Sequence, residues 1–252
     1  MSVLELQGDV IYGPILSRRL GSSLGINLLP ATRKVCTFDC VYCQYGSAEA
    51  GSPAAEERRF PSLESVLRQL KEAISQQPHL DYLTFSGNGE PTLHPQFPEI
   101  VAEVRRLRDR WCPHVRLAIL SNSSQIFRPE IRKAIEQVDD PIMKLDAGDP
   151  WTFAQINRPV SGIEFEEIIA GLQAMPRLII QSMIIDGQVQ NAEYEAHEAW
   201  LTAIAQLSPD KVQIYSTDRP VAATGVQKVS REVLERLARS AEERTGIEVR
   251  AY

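Results

Sequence analysis

Cys36, Cys40 and Cys43 stand in the run Cys36-Thr-Phe-Asp-Cys40-Val-Tyr-Cys43, so three thiols fall within eight residues. One loop supplying three thiolates can hold a four-iron cluster through three irons and leave the fourth open to a second molecule. The same cysteines could also be a group of buried thiols, a structural zinc site or part of a disulfide framework. Zinc sites ordinarily take four ligands, often as paired Cys-x2-4-Cys elements or with histidines. No fourth ligand is evident, because His79, His94, His114 and His197 lack ligand spacing and read as structural or solvated. Cys112, between Trp111 and Pro113, reads as a small buried or half-buried thiol rather than a ligand. Residues 1–10 carry acids and no apolar core, so no signal peptide is expected. A reducing, cytoplasmic setting follows, which disfavours disulfides.

Further polar groups follow the apolar runs. Tyr82-Leu-Thr-Phe leads into Ser86-Gly87-Asn88-Gly89-Glu90-Pro91-Thr92-Leu93, where two glycines allow close backbone approach and Glu90 offers a carboxylate. Backbone groups beside a carboxylate suit an ammonium ligand, although such a motif alone also reads as a glycine turn with a solvated glutamate. The next runs end in Ser121-Asn122-Ser123, in Lys144-Leu145-Asp146, in Gln181-Ser182-Met183 and in Tyr215-Ser216-Thr217-Asp218-Arg219-Pro220. Period-two alternation places Lys144 and Asp146 on one face of a strand, as a buried or ligand-bound ion pair if that face is interior.

The elements that must position these groups alternate. Strands are expected at residues 24–29, 82–85, 115–120, 142–145, 178–185 and 212–215. Helices are expected at 63–76, 98–110, 129–137, 164–174, 193–206 and 231–244, with Ser62, Pro129 and Ser230 as start signals. Later strands begin about one βα unit apart, which implies an α/β fold of parallel strands with right-handed crossovers, barrel-like or open. Polar residues at the carboxyl ends of such strands are where ligands bind. The chain is expected to form one domain over 1–252, with an N-terminal extension at 1–23, a barrel core at 24–220 and a C-terminal helix and tail at 221–252. The small, polar segment after Gly46 reads as a loop or lid.

With 43% hydrophobic and 24% charged residues the chain has ample apolar material for a core, and no run approaches the length of a membrane span. A formal charge of −6 argues against a broad nucleic-acid-binding face. Arg105, Arg106, Arg108 and Arg110 spread around a helix and are expected to be solvated.

Taken together, the cysteine run with Tyr42 before its last cysteine, and the Gly87-Asn88-Gly89-Glu90 motif, resemble the radical S-adenosylmethionine superfamily. The resemblance implies a partial (β/α)6 barrel and a [4Fe–4S] cluster on Cys36, Cys40 and Cys43. The open iron would be chelated by the amino and carboxylate groups of S-adenosylmethionine. It implies that Gly87, Asn88, Gly89 and Glu90 face the amino group and that Tyr42 packs near the adenine. Ser121 and Asn122 would meet the ribose or carboxylate, with Lys144, Asp146 and Gln181 as further cofactor-side groups. Some activating-enzyme relatives carry Asp-x-Lys where this chain has Lys144-x-Asp146. Residues 12–26 and 86–93 are further similar to the subgroup containing the wyosine-forming tRNA enzymes. Those enzymes use additional amino-terminal cysteines, and none precedes Cys36 here, so the fold and cofactors carry over but the tRNA substrate does not.

The chemistry so implied is reductive cleavage of S-adenosylmethionine to a 5′-deoxyadenosyl radical that takes hydrogen from a substrate, with an external flavodoxin or ferredoxin as electron source. Arg18, Arg19 and Arg219 are candidate substrate-side groups. A small molecule or nucleotide is the favoured target. Alternatives are activation of a partner protein and tRNA base modification. A ferredoxin-like electron-transfer module is disfavoured by the missing fourth cysteine.

Overall fold

A computed structural model describes residues 4–46, 60–77, 79–218, 221 and 223–252. The expected lid segment and Arg219 lie outside the described residues. Eight strands form one sheet in the order β1 (Ile11–Ser17), β2 (Gly21–Ile26), β3 (Tyr82–Phe85), β4 (Arg116–Ser121), β5 (Asp140–Lys144), β6 (Ile179–Met183), β8 (Lys211–Tyr215) and β10 (Val249–Ala251). Within this sheet the seven strands from β2 onward run parallel and β1 is antiparallel to β2. The order has two ends, so this is an open, mostly parallel α/β sheet, in keeping with a partial barrel. β7 (Ile185–Gly187) and β9 (Val226–Lys228) form a separate antiparallel pair. The helices are α1 (Leu63–Gln76), α2 (Phe97–Trp111), α3 (Pro129–Ile135), α4 (Pro150–Asn157), α5 (Phe165–Gln173), α6 (Tyr194–Leu207) and α7 (Arg231–Thr245).

Strand alternation separates two faces. Leu24, Ile26, Leu83, Phe85, Leu117, Ile119, Met143, Ile180, Val212 and Ile214 join one large core with the helices. Their alternating neighbours Ser23, Gly25, Thr84, Lys144, Gln181 and Tyr215 are mostly polar and point to the opposite, concave side, where cavities open. One half of each strand therefore fastens the helices; on the other face Ala118, Ile142 and Ile179 pack with Leu20 in a smaller apolar cluster, and polar residues toward the carboxyl ends line the cavities.

Local signals account for most boundaries. Ser62 and Ser230 accept hydrogen bonds from Ser65 N and Val233 N, capping α1 and α7, and Gly246 ends α7 at φ 71°. Four departures from the sequence reading have physical causes. The strand expected at 24–29 stops at Ile26, because Asn27 bonds Leu29 through both Oδ1 and Nδ2 and turns the chain out of the sheet. β1, expected as an extension, is a sheet edge; Pro14 suits an edge, where a missing N–H interrupts no ladder on the open side. The run at 178–185 divides into β6 and β7. Arg108 is buried rather than solvated: it continues the buried stripe Phe97, Ile100, Val101 and Val104 of α2. Its Nη1 bonds Val115 O at 2.8 Å and Asp139 at 2.5 Å. Cys112 is a buried thiol of the main core, and His94 and His197 are buried structural residues.

Leu83 is fully buried and Leu16 is 87% exposed. Leu83→Ala is expected to lower unfolding free energy by about 2–5 kcal/mol. Leu16→Ala is expected to change it by less than about 0.5 kcal/mol. Denaturant midpoints of the two variants check the assignment of faces.

Candidate active site

The cysteine loop follows β2 and is held from two sides. Val35 N donates to Asn88 O at 3.0 Å and Val35 O accepts from Glu90 N at 2.9 Å, a clasp onto the motif that follows β3. On the far side Asp39 N donates to Asn157 O (3.1 Å), Val41 N to Ile156 O (2.9 Å), and Val160 N to Thr37 O (2.9 Å). The clasp needs a residue without a side chain. Gly89 sits at φ 141°, and a Cβ there would lie 1.9 Å from Val35 O. Gly87, at φ 138°, would collide with Asn27 at 2.5 Å.

All three thiols face one cavity of about 340 Å³ at the carboxyl ends of the strands. Among the described residues no three His, Cys, Asp or Glu side chains converge to hold a single ion. Three thiols from one loop on one cavity are a donor set of the kind that holds an iron–sulfur cluster. Each sulfur also has a nitrogen donor of its own. Asn122 Nδ2 lies 3.5 Å from Cys36 Sγ and Asn157 Nδ2 lies 3.4 Å from Cys40 Sγ. Lys34 hydrogen-bonds Cys43, with its ammonium 2.8 Å from Gly46 O and 3.7 Å from Asp39. Burial pushes the Cys36 thiol up to about 12, with the neighbouring Cys40 adding to the shift. Burial raises the Cys40 thiol as well, followed by the charge of Asp146.

The Glu90 carboxylate lines this cavity, yet it is only 1% exposed and already has four donors: Thr92 N (3.1 Å), Thr92 Oγ1 (2.6 Å), Ser121 Oγ (2.9 Å) and Asn122 N (2.5 Å). It thereby ties the end of β3 to the end of β4. Burial raises its carboxyl above the usual range, opposed by these hydrogen bonds.

Opposite lies a buried charge network. Lys144 Nζ is 3.4 Å from Asp146 Oδ1 and 5.0 Å from the centre of the Tyr42 ring. Asp146 accepts from Met183 N and Asn157 Nδ2, both at 2.7 Å, and from the Tyr42 hydroxyl. Burial opposes the charge on Lys144, but Asp146 and neighbouring groups outweigh it and hold the ammonium above its ordinary value. The expected Lys144–Asp146 ion pair is present, but β5 ends at Lys144, so Asp146 reaches it from the segment beyond the strand rather than along a shared strand face.

Of the sequence-predicted residues, Cys36, Cys40, Cys43, Tyr42, Gly87, Gly89, Glu90, Ser121, Asn122, Lys144, Gln181 and Arg19 line the cavity. Three do not. The Asn88 side chain is turned away and consumed by Gln7 N, Gln7 O and Pro30 O, so it fastens the N-terminal segment rather than facing a ligand. Asp146 sits behind Tyr42 and Lys144. Arg18 pairs with Asp218 at the surface, away from the cavity. Sequence reasoning missed Lys34 and Asn157, and it placed Tyr215 at the polar rim, where the cavity has it, without a role. Lys34 stands two residues before Cys36 and its position was a usable signal; Asn157 ends a helix, α4, that the periodicity did not reveal.

A family model described as the Radical SAM superfamily matches residues 32–201, and the chain belongs to that superfamily and is an enzyme of that type. It is 34% identical to the UPF0026 protein MJ1312 of Methanocaldococcus jannaschii over 90% of this chain and 70% of that protein. It is 28% identical to a protein of Brachyspira hyodysenteriae named GTPase Obg, over 97% of this chain but 35% of that one, so the chain spans about a third of that relative. The fold is similar to Streptococcus suis SuiB bound to S-adenosylmethionine, with TM-score 0.64 and 13% identity over 90% of this chain and 50% of that one. It is also similar to TYW1 with a lysine-pyruvate adduct bound, with TM-score 0.60 and 14% identity over 90% and 76% of the two chains. The resemblance to the superfamily thus stands on the family match, and the likeness to TYW1 is one of fold. Among the described residues no helix is long and apolar enough to cross a membrane.

Truncating Asp146 leaves Lys144 buried without its partner, Met183 N and the Tyr42 hydroxyl without this acceptor, and Asn157 with one bond fewer. Asp146→Ala is expected to cost about 3–5 kcal/mol of stability, and adding Lys144→Met should recover part of that loss in denaturant unfolding.

Proposed function

We propose that Cys36, Cys40 and Cys43 hold a [4Fe–4S] cluster whose fourth iron binds S-adenosylmethionine, and that the enzyme takes hydrogen from a small-molecule or nucleotide substrate. The observation that carries this reading is the facing of three thiols onto one cavity together with Gly87, Gly89 and Glu90. When bound, the cluster and S-adenosylmethionine supply a 5′-deoxyadenosyl radical and methionine on receipt of one electron.

The chain's own part is placement and electrostatics. Gly87 and Gly89 put backbone on the cavity wall, where carbonyls can accept from the ligand's amino group, and Glu90, immobilised by its donors, holds its carboxyl at the same wall. Ser121 and Asn122 border the space for ribose or carboxylate. Tyr42, pinned through its hydroxyl by Asp146 and Asn157, offers a ring edge for the adenine. Lys144 and Gln181 line the cavity wall, and Asp146 acts on the ligand only through Tyr42 and Lys144. Lys34, Asn122 and Asn157 donate toward the sulfurs, and such donors stabilise the more negative, reduced cluster. The electron must come from outside, through a flavodoxin or ferredoxin type of donor, and a cytoplasmic, reducing setting suits thiols that must stay free for iron.

Protein reconstituted with iron and sulfide without oxygen, then given dithionite, is expected to convert S-adenosylmethionine to 5′-deoxyadenosine and methionine. Cys40→Ala should abolish the conversion, and failure of four-iron-loaded wild-type protein to turn over would overturn the reading. Lys34→Met and Asn157→Leu are each expected to lower the cluster's midpoint potential in titrations followed by electron paramagnetic resonance. The sign follows from removing a cation or donor that favours the reduced state; an unchanged or higher potential at equal iron content would remove that role.

A further inference from the structure

A second cavity of about 310 Å³ adjoins the first, and the two share Arg19, Tyr45, Gly87, Gly89 and Leu120. It lies on the concave side between the β1–β2 hairpin and the end of β3. Its walls are hydroxyl-rich. Tyr12 Oη lies 2.7 Å from Ser86 Oγ, and Ser23 Oγ lies 2.7 Å from Thr84 Oγ1. Each such pair spends one proton internally and keeps further hydrogen-bonding capacity for a ligand. Ser17 and Tyr45 add two more hydroxyls, and none of the lining residues carries a carboxylate.

Its partners set Arg19 apart from the other cations of this region. Lys144 is paired with Asp146, Lys34 with Asp39 and Arg18 with Asp218. Arg19 has only neutral partners among the described residues: Nη1 donates to Gln181 Oε1 at 2.8 Å, and its guanidinium lies 4.5 Å from the centre of the Tyr215 ring. Those contacts orient the guanidinium without neutralising it. Tyr215 Oη also donates to Gln181 Oε1 at 3.3 Å, so the same oxygen anchors both. A half-buried, pre-oriented guanidinium without a counter-ion is built for an anionic oxygen group.

We infer that this second cavity is the substrate subsite and that Arg19 anchors a small, hydroxyl-bearing anion there, through its phosphate or carboxylate. The volume is at the low end for small-molecule sites and suits one sugar-sized unit. The hydroxyl walls would hold the body of the molecule. Through the shared Gly87 and Gly89 it would lie directly beside the cavity assigned to S-adenosylmethionine, as hydrogen transfer to a radical requires. This inference rests on the proposed radical reading.

The test is equilibrium binding to cluster-loaded protein saturated with S-adenosylmethionine, using ribose 5-phosphate, gluconate and neutral ribose as probes. At least one of the two anions is expected to bind more tightly than ribose, and which one it is identifies the anionic group. Arg19→Met should weaken that anion about tenfold or more, the size of a lost charge-assisted hydrogen bond, while Arg19→Lys restores part of the affinity. Neither anion surpassing ribose, or Arg19→Met leaving anion affinity unchanged, would overturn the inference. So would an equal loss of S-adenosylmethionine affinity in Arg19→Met, since Arg19 would then serve the cofactor. S-Adenosylmethionine cleavage by the loaded wild-type protein is measured separately, so failure of the radical reading is distinguishable from failure of the subsite.

Discussion

The two-bond clasp between Val35 and the Asn88–Glu90 backbone is the contact on which the site depends. It joins a loop that has no regular structure to the end of a strand buried in the sheet, and it can close only because Gly89 has no side chain where Val35 O arrives. The strand end is rigid because β3 is paired on both sides, by β2 and β4. Rigidity therefore passes from sheet to motif to cysteine loop. The second tether, to the end of α4, fixes the other half of the loop and brings Asn157 against Cys40.

Around this clasp the buried polar groups are satisfied almost entirely by one another. Glu90 bridges two strand ends through four donors, and Asp146 gathers Tyr42, Lys144, Asn157 and Met183 N at another. In a low-dielectric interior such networks are costly to leave half-satisfied, so each defines its neighbours' positions closely. The consequence for chemistry is division of labour. Most side chains at the rim are already engaged with protein, so they present fixed walls and spare hydrogen-bonding capacity, while the Arg19 guanidinium keeps its charge without a carboxylate partner among the described residues.

The apolar strand runs and the helix caps were legible because each is a local property: alternation needs only neighbours, and a cap needs only the three residues that follow. The cysteine triplet and the Lys144-x-Asp146 pair could be read in this way. Where non-local contacts decided the outcome, the sequence was misleading. Asn27 ends β2 inside an apolar run, Arg108 is buried because Asp139 waits for it from another element, and Asn88, inside the most informative motif, serves the N-terminal segment instead of the cavity.

The spacing of Cys36, Cys40 and Cys43 by itself determined that three thiols would share one loop, and with the glycine motif it determined the family. Which way each side chain faces was settled only by tertiary packing. Asn157 and Lys34 reach the sulfurs, and Arg19 comes to lie over Tyr215 across 196 positions of chain. No local pattern encodes such meetings, because they arise where separately formed elements are pressed together to bury the apolar face they share.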